Sequence, residues 1–405
     1  MLIANQRALR GAYPTELLSI MSTARARESR QWLSQWHRIA RAASPLYDLP
    51  GVAEQLKIAR FTVKDESERS PLGSFKALGA PIALVRQILR LNPDFDPMAV
   101  LTGSYADQLE DYTVISATDG NHGRGLAAAA RDAGCRCVIV LHANVSSERE
   151  QAIAVYGAQI IRIAGNYDES VEKAARLAAN NGWQVVSDTS YEGYEEIPRD
   201  VMQGYGIIAA EVVEQTEARP NEAGAFTHVF LQGGVGGLAA GVISYFWEYQ
   251  GAHRPRFIIV EPRQADCLLQ SAIKGHAAKA TGSVNSLMAG LACGEASPLA
   301  WRFLESSVGY FMTIEDEQAV EAMRALATGS DRDIPIVAGE SGTAGLAALQ
   351  ILRNDPDLSA QVELDVQSRV LIINTEGATA PALYEELVGE PAESVLKRQA
   401  AWLAR

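Results

Sequence analysis

Short apolar runs of strand-forming residues alternate with helical segments along most of this chain. One such unit, VISATDGNHGRGLAAAARDAG, passes from a strand through a glycine turn into an alanine-rich helix, and RFIIVEP and RVLIINTEG supply further strands. Strands that are apolar throughout are typical of parallel sheets covered on both faces, and parallel strands need a helical crossover. The alternation predicts an α/β protein with two open, mostly parallel twisted sheets and helices on both faces.

The strand–helix units form two clusters, at roughly residues 90–210 and 225–380, which indicates two domains in the 405-residue chain. We assign residues 1–89 to an N-terminal segment and the start of a large domain. Residues 90–215 are assigned to a smaller α/β domain, and residues 216–405 to the remainder of the large domain. The Pro-, Gly- and Glu-containing stretch EQTEARPNEAGAF marks the second boundary.

Charge and composition limit the classes of partner. The formal net charge of −13 argues against nucleic acid or an anionic membrane as the main partner. No apolar run approaches the ~20 residues that span a bilayer, and the N-terminus lacks the apolar stretch of a signal peptide. We expect a cytoplasmic protein that acts on small molecules.

The cysteines and histidines do not predict a metal site. Cys135 and Cys137 alternate into a predicted buried strand, so they are expected to be small core residues. Cys267 and Cys293 fall in loop-like segments and could form a disulfide, although a cytosolic disulfide is uncommon. The six histidines show none of the spacings typical of metal ligands.

A glycine-rich loop follows one predicted strand and opens a helix. In FLQGGVGGLAAG, glycines allow close approach of a ligand and the N–H groups at the helix start can bind a phosphate. The loop also satisfies a dinucleotide fingerprint, with Glu261 as the acidic residue after the next strand, and glycines that serve packing alone are a third interpretation. Phosphate binding is predicted here, by residues Gly233, Gly234, Val235, Gly236 and Gly237.

Other polar residues also follow predicted strands. The turn TDGNHG holds Asp119, Asn121 and His122, more polar groups than a helix cap requires. Asp188 ends another strand and is either a solvated loop residue or a functional one. Because ligands bind at the carboxyl ends of parallel strands, we expect one site to gather these positions. The set is Lys76, Asp119, Asn121, Asp188, Gly233 to Gly237, Glu261 and Thr375.

Lys76 lies in SPLGSFKALG, between a glycine turn and an apolar helix. The start of a helix repels an ammonium but suits a neutral amine. A lysine near a phosphate-binding loop and an Asn-bearing turn is what pyridoxal 5′-phosphate requires, since the amine condenses with the aldehyde. Desolvation and the helix end are expected to hold the amine uncharged.

The motifs SFKALG, TDGNHG, GGVGG and NTEG, in this order, resemble those of the fold-type II (tryptophan synthase β-like) pyridoxal phosphate enzymes. Within that group the chain resembles the diaminopropionate ammonia-lyase family over about residues 40–390, including EEIPRDVMQGYG and AGESGTAG. The resemblance implies a homodimer that converts 2,3-diaminopropionate, as the D or L isomer, to pyruvate and two ammonia molecules. Ala80 and Ala380 depart from the glycine and aspartate expected there.

The resemblance also implies roles for single residues. Lys76 forms the covalent link to the cofactor and then acts as base at Cα. Asn121 binds the ring hydroxyl, the Gly233 to Gly237 loop binds the phosphate, and Thr375 belongs to the cofactor site. Asp188 takes part in substrate recognition or proton transfer.

Asp119 is the residue that distinguishes substrate classes. Threonine and serine dehydratases tend to have Ser or Ala at this point, whereas a carboxylate pairs with the ammonium of a diamino acid. It is also placed to take a proton from the face opposite Lys76.

Four other functions stay open on the sequence. One is a non-catalytic cofactor-binding protein, which would show the visible band of the bound cofactor without turnover. A threonine or serine dehydratase-like lyase differs only at Asp119 and Asp188, and a β-replacement synthase would add a nucleophile to the same intermediate. An NAD-dependent oxidoreductase would use the GGVGG loop and Glu261 but leave Lys76 without a role.

Overall fold

The computed structural model describes residues 1–118, 120–143, 145–165 and 167–405, with the backbone alone at residue 168. The strands in these ranges are β1 (Leu2–Ala4), β2 (Leu46–Asp48), β3 (Arg60–Asp65), β4 (Thr113–Ala117), β5 (Arg136–Leu141), β6 (Gln159–Arg162), β7 (Gln184–Val185), β8 (His228–Gln232), β9 (Arg256–Pro262), β10 (Tyr310–Ile314) and β11 (Arg369–Asn374).

Helices connect the strands, as the alternation predicts. They are α1 (Thr23–Leu33), α2 (Pro50–Gln55), α3 (Ala80–Leu91), α4 (Pro97–Val100), α5 (Ala106–Leu109), α6 (Asn121–Ala133), α7 (Ser147–Ala154), α8 (Tyr167–Asn181), α9 (Glu196–Gln215), α10 (Gly237–Gln250), α11 (Cys267–Lys274), α12 (Pro298–Ser307), α13 (Asp316–Thr328), α14 (Ala344–Asn354), α15 (Pro356–Gln361), α16 (Pro381–Val388) and α17 (Ala392–Leu403). Single 3-10 turns include Phe75–Leu78, which carries the lysine. Of the helices in the described ranges, none combines the length and apolar composition that a membrane crossing requires.

The larger sheet has the strand order β1-β10-β9-β8-β11-β3-β2. Its five inner strands run parallel to one another. Among the described residues, only the edge strands β1 and β2 pair antiparallel with their neighbours. Along β8, Val229 and Leu231 pack into the cluster that includes α9 and α10, whereas Phe230 packs on the other face with α14. Both faces are covered, which explains why the strand is apolar throughout.

The smaller sheet has the order β6-β5-β4-β7, with every described pair parallel. Side chains alternate between its faces: Val114 and Ile139 face the cluster with α6, and Ile115 and Val138 face α8. The predicted fold class, two mostly parallel sheets with helices on both faces, is confirmed. The edge strands β1 and β2 were not predicted, because three residues are too few to show a period.

The strands of the smaller sheet lie within residues 90–215 and those of the larger sheet outside that range. Helix α9, at the end of this range, packs against α1, α3 and α10. The sheets alone therefore do not fix the domain limits, which stay a prediction.

Buried charges fix the segment that precedes the 3-10 turn Phe75–Leu78, called the lysine turn below. Lys64 Nζ lies 2.7 Å from Glu211 Oε2, and Arg69 Nη2 lies 2.6 Å from the same oxygen. Arg69 also donates to Glu66 through Nε at 2.9 Å. Removing one member of such a buried pair leaves an uncompensated charge and typically costs ~3–5 kcal/mol. The network holds the end of β3 against α9 and so sets where the following turn lies.

Two glycines let helices reach the lysine turn. A Cβ at Gly204 of α9 would collide with the carbonyl oxygen of Leu78, and one at Gly125 of α6 would lie 3.2 Å from the carbonyl oxygen of Lys76. The turn is thus packed between α6 and α9.

We expect Gly204→Ala to lower the free energy of unfolding. The collision is with a backbone atom, and overpacking of this kind costs ~1–3 kcal/mol, which exceeds the ~1 kcal/mol that alanine gains in a helix. Urea unfolding measures the change. The control is Gly11→Ala, where no described atom lies within 4 Å of the added Cβ. Equal stability of the two variants would contradict the packing argument.

Candidate active site

Lys76 is the second residue of the 3-10 turn Phe75–Leu78. The backbone N–H of Phe75 donates to the carbonyl of Thr375 at 3.0 Å, and Ser74 bridges to Glu376. The lysine turn therefore lies against the carboxyl end of β11. This brings Lys76 and Thr375 together, as their positions after strands predict.

Lys76 and Asp188 form an ion pair. Lys76 Nζ donates to Asp188 Oδ2 at 2.5 Å, and about one-fifth of each side chain is exposed. Burial alone would lower the pKa of Lys76, but the Asp188 carboxylate outweighs it and holds that pKa above its usual range. Burial alone would likewise raise the pKa of Asp188, but Lys76 and then His122 hold it below its usual range. The expectation of an uncharged Lys76 amine was therefore wrong, because the Asp188 carboxylate is in direct contact with it.

The glycine loop joins β8 to α10 and borders Asp188. Gly234 and Gly236 have φ of +57° and +99°, which favour glycine. A Cβ on Gly236 would lie 3.0 Å from Leu304 and 3.1 Å from Ala300. The site of a Cβ on Gly237 is 3.7 Å from the Asp188 carbonyl.

Two carbonyl groups of the glycine loop already accept hydrogen bonds from neighbouring residues. The Gly234 carbonyl accepts from Cys267 Sγ at 3.3 Å, and the Val235 carbonyl accepts from the Ser297 N–H at 3.0 Å. The C=O and N–H of a trans peptide point in opposite directions, so the N–H of Val235 is turned away from Cys267. Together with the start of α10, this loop forms a backbone anion-binding site of the kind that binds phosphate.

Asn121 begins α6 and donates through Nδ2 to Glu376 Oε2 at 2.5 Å. Glu376 also accepts from the N–H of Ser341 at 3.3 Å. Beside it, Glu340 pairs with Arg149 of α7 at 2.9 Å. Burial and the neighbouring Glu376, opposed by Arg149, raise the pKa of Glu340 to about 7. Sequence reasoning missed these acids, although Glu376 follows a strand end inside the quoted NTEG motif.

The loop that carries Asp188 is tied to the glycine loop through two serines. The Ser190 and Ser297 hydroxyl oxygens lie 2.7 Å apart, and the Leu299 N–H donates to Ser190 Oγ at 3.0 Å. Because the backbone N–H of Ser297 also donates to the Val235 carbonyl, the buried contact between Ser190 and Ser297 fixes both loops.

Four other predicted positions have different outcomes. Asp119 lies outside the described residues. Glu261 accepts from the N–H groups of Leu268 and Leu269, both at 2.8 Å, and is fully buried, so it caps α11 and offers no carboxylate to a ribose. Cys267 begins α11 instead of lying in a loop. Cys267 and Cys293, both among the described residues, are not joined by a disulfide.

Comparison with known proteins identifies the family. The family described as pyridoxal-phosphate dependent enzyme matches residues 38–376. The chain belongs to this family. It is 38% identical over 357 residues to the diaminopropionate ammonia-lyase of Salmonella typhimurium, which covers 86% of this chain and 88% of that protein. The Escherichia coli K12 diaminopropionate ammonia-lyase is 37% identical over 359 residues, 87% of this chain and 88% of that protein.

Solved structures agree. The holo form of the E. coli diaminopropionate ammonia-lyase superposes with a TM-score of 0.86 at 35% identity and covers 96% of each chain. The same enzyme has been solved with an aminoacrylate–PLP azomethine reaction intermediate, which this chain matches with a TM-score of 0.84 at 34% identity and 96% coverage of each chain. A tomato threonine deaminase, at 19% identity and a TM-score of 0.72, shares the fold.

The residues present fit pyridoxal phosphate. The positive-φ glycines leave room for a phosphate at the start of α10, and Asp188, whose carbonyl borders the loop, pairs with the partly exposed Lys76 amine. The Asn121 amide at the start of α6 bonds Glu376, just after β11. The alternative of a dinucleotide-binding oxidoreductase is not supported, because Glu261 is buried and bonded to α11.

We expect Gly236→Ala to weaken cofactor binding as well as stability. The positive φ costs ~1–2 kcal/mol for an L-residue, and the added methyl group must displace Leu304 or Ala300 next to the loop. The matched control is Gly389→Ala, which has a φ of +92° but no described atom within 4 Å of its Cβ. Titration with pyridoxal phosphate should show a weaker Kd for the first variant only. A similar loss in both variants would mean that strain alone is responsible.

Proposed function

We propose that the protein is a pyridoxal 5′-phosphate-dependent ammonia-lyase that converts D- or L-2,3-diaminopropionate to pyruvate and two ammonia molecules. The observation that carries the proposal is the Lys76–Asp188 pair beside the glycine loop, in a chain 38% identical to a diaminopropionate ammonia-lyase. When bound, the cofactor withdraws electrons from Cα of the attached amino acid, so that the β-amino group can leave.

Lys76 and Asp188 handle the protons in this proposal. Lys76 would hold the cofactor through Nζ and would accept the Cα proton of the substrate at the same atom. Asp188 Oδ2, 2.5 Å away, orients the amine and receives or returns a proton there. Two groups with opposed charges at this distance are suited to proton transfer in either direction.

The remaining groups bind the cofactor. The N–H groups of the Gly233 to Gly237 loop and the start of α10 bind the phosphate. Asn121 would donate to the ring hydroxyl oxygen of the cofactor, and Glu376 holds the Asn121 amide by accepting a hydrogen bond from Nδ2. Thr375 closes the site at the end of β11.

Asp119 is proposed, from its place in TDGNHG, to bind the β-ammonium group and to act as base on the face opposite Lys76. An ionic hydrogen bond of this kind favours a diamino acid over a hydroxy amino acid. No observation favours the dehydratase alternative over this one.

We also propose that the protein acts as a cytoplasmic homodimer on a small amino acid and not on nucleic acid. The net charge of −13 supports the last point, since it would repel phosphate backbones.

The first test concerns the cofactor and its lysine. The purified protein should be yellow, should lose its visible band on borohydride reduction with the label on Lys76, and should release pyruvate from 2,3-diaminopropionate. Lys76→Ala should lose activity by several orders of magnitude, because a positioned proton-transfer group alone contributes ~10²–10⁴-fold. Asp188→Asn should be slower while keeping the cofactor. Lys397→Ala, an exposed lysine on α17, is the control. Near-normal pyruvate release by Lys76→Ala would refute the mechanism.

The second test concerns substrate class. Loss of an ionic hydrogen bond worth ~1.5–3 kcal/mol should cost about tenfold to a hundredfold in specificity. Wild type should therefore prefer 2,3-diaminopropionate to L-serine and L-threonine, and Asp119→Ser should narrow that preference. Asp119→Asn should slow the D isomer more than the L isomer, because Lys76 serves the other face. Asp111→Asn, an exposed carboxylate, is the control. Faster turnover of serine by wild type would favour the dehydratase instead.

A further inference from the structure

The motif EEIPRDVMQGYG, which the proposed function leaves without a role, contains a buried tyrosine. Tyr205 lies on α9 and is 1% exposed. Among the residues that the structure describes, none makes a hydrogen bond of normal geometry with its hydroxyl group. A buried polar group without a partner is costly, and phenylalanine would fill almost the same space without that cost. The fold alone therefore does not explain why a tyrosine stands at this position.

The side chain of Tyr205 lies beside the amine of Lys76. Lys76 Nζ is 5.8 Å from the centroid of the Tyr205 ring and 5.1 Å from that of the Phe75 ring, and the two rings pack with their centroids 4.8 Å apart. Burial raises the pKa of the Tyr205 phenol above its usual range, and the charge of Lys76 opposes that effect. The two groups therefore interact electrostatically, although no full hydrogen bond joins them in this arrangement of the site.

A glycine of the SFKALG motif makes room for this phenol. A Cβ on Gly79 would lie 2.5 Å from Cε1 and 2.8 Å from the hydroxyl oxygen of Tyr205. The φ of Gly79 is −94°, which any residue adopts, so the space needed by the tyrosine explains the glycine and backbone freedom does not. On α9, Gly204 likewise lets the helix reach the carbonyl of Leu78. Small residues on both elements thus bring the hydroxyl to the lysine turn.

The geometry of an amine shows what a second acceptor beside Lys76 would do. A neutral amine carries two N–H groups and one lone pair, and it rotates about the Cε–Nζ bond unless these groups are held. Asp188 Oδ2 accepts one N–H of Lys76 at 2.5 Å. One acceptor leaves two directions in which the lone pair can point, whereas two acceptors leave a single direction.

We propose that Tyr205 is a positioning residue that fixes the lone pair of Lys76 Nζ by accepting its second N–H at the phenol oxygen. The flexible side chain of Lys76 brings Nζ to both acceptors, since it already bonds Asp188 and lies beside the phenol. The lone pair takes the Cα proton and so becomes the third N–H bond, while the electron pair of the Cα–H bond stays with the substrate. Tyr205 and Asp188 both hold the ammonium that results. This role in turnover rests on the function proposed above.

The charge states of the two acceptors suit this role. Burial alone would raise the pKa of Asp188, but Lys76 and then His122 hold it below its usual range, so Asp188 is an anion. The phenol of Tyr205, whose pKa is raised by burial, is a neutral hydroxyl that accepts a hydrogen bond without adding a second negative charge. A second carboxylate in its place would hold Lys76 more strongly as a cation and would oppose its action as a base.

The kinetic test uses Tyr205→Phe, which removes the hydroxyl and keeps the ring. Because the hydroxyl has no partner in the fold, urea unfolding should give a midpoint at least as high as that of wild type. The kcat for pyruvate release from 2,3-diaminopropionate should fall about tenfold to a hundredfold with little change in KM, since the lost hydrogen bond is to a nitrogen that becomes charged. With substrate deuterated at Cα, the isotope effect on kcat should increase, because transfer of the Cα proton becomes slower relative to the other steps.

The matched control is Tyr384→Phe on α16. Tyr384 is 2% exposed, and its hydroxyl also lacks a hydrogen bond of normal geometry within the described residues. Its ring packs in a separate apolar cluster with Met323 and Val395. This variant should keep its stability, its kcat and its isotope effect. Wild-type kcat and isotope effect in Tyr205→Phe, or a loss of kcat that a smaller folded fraction accounts for, would overturn the proposal.

A structural test needs no turnover. Borohydride reduction of the holoenzyme leaves Lys76 Nζ as a secondary ammonium with two N–H groups, one for each acceptor. A crystal structure of this reduced form should place Nζ about 3 Å from both Asp188 Oδ2 and the Tyr205 hydroxyl oxygen. A separation of Nζ and the phenol oxygen beyond hydrogen-bond distance would overturn the proposal. Failure of the protein to release pyruvate would instead refute the proposed function and leave this contact to be judged by the crystal structure.

Discussion

The ion pair between Lys76 and Asp188 joins the two sheets at their carboxyl ends. Lys76 lies on a turn bonded to the end of β11, and Asp188 lies just after β7. Each group would be costly to bury alone, and each shifts the pKa of the other towards the charged form. The pair therefore favours the arrangement in which the two strand ends face one another.

Further contacts cross the same cleft. Asn121 and Arg149, on helices of the smaller sheet, bond to Glu376 and Glu340 on the loops of the larger one. Ser297 ties the Asp188 loop to the glycine loop. Because these bonds run between elements distant in sequence, loss of one shifts several groups of the site together. The geometry of the site is thus a property of the packed sheets and not of any single motif.

The sequence predicts the fold class because fully buried parallel strands must be apolar throughout, as β8 and β11 are. It predicts Lys76, Asn121 and the glycine loop as members of one site because strand ends gather at one edge. It could not predict the charge of Lys76, which depends on a 2.5 Å contact with a residue more than a hundred positions away. Glu261 was placed among the site residues for the same reason. A pattern of strand ends does not show that its hydrogen-bond partners are backbone N–H groups of α11.

The balance of charge in the cleft bears on which substrate suits it. Asp188 is matched by Lys76, and Glu340 by Arg149, whereas Glu376 bonds the neutral amide of Asn121. A diamino acid brings one more ammonium than a hydroxy amino acid does, and that charge needs a carboxylate in a site with little water. We propose that Asp119, two positions before Asn121 in the chain, supplies that carboxylate. The substrate of a dehydratase has an uncharged hydroxyl in place of the β-ammonium group, so it offers a carboxylate no cation to pair with.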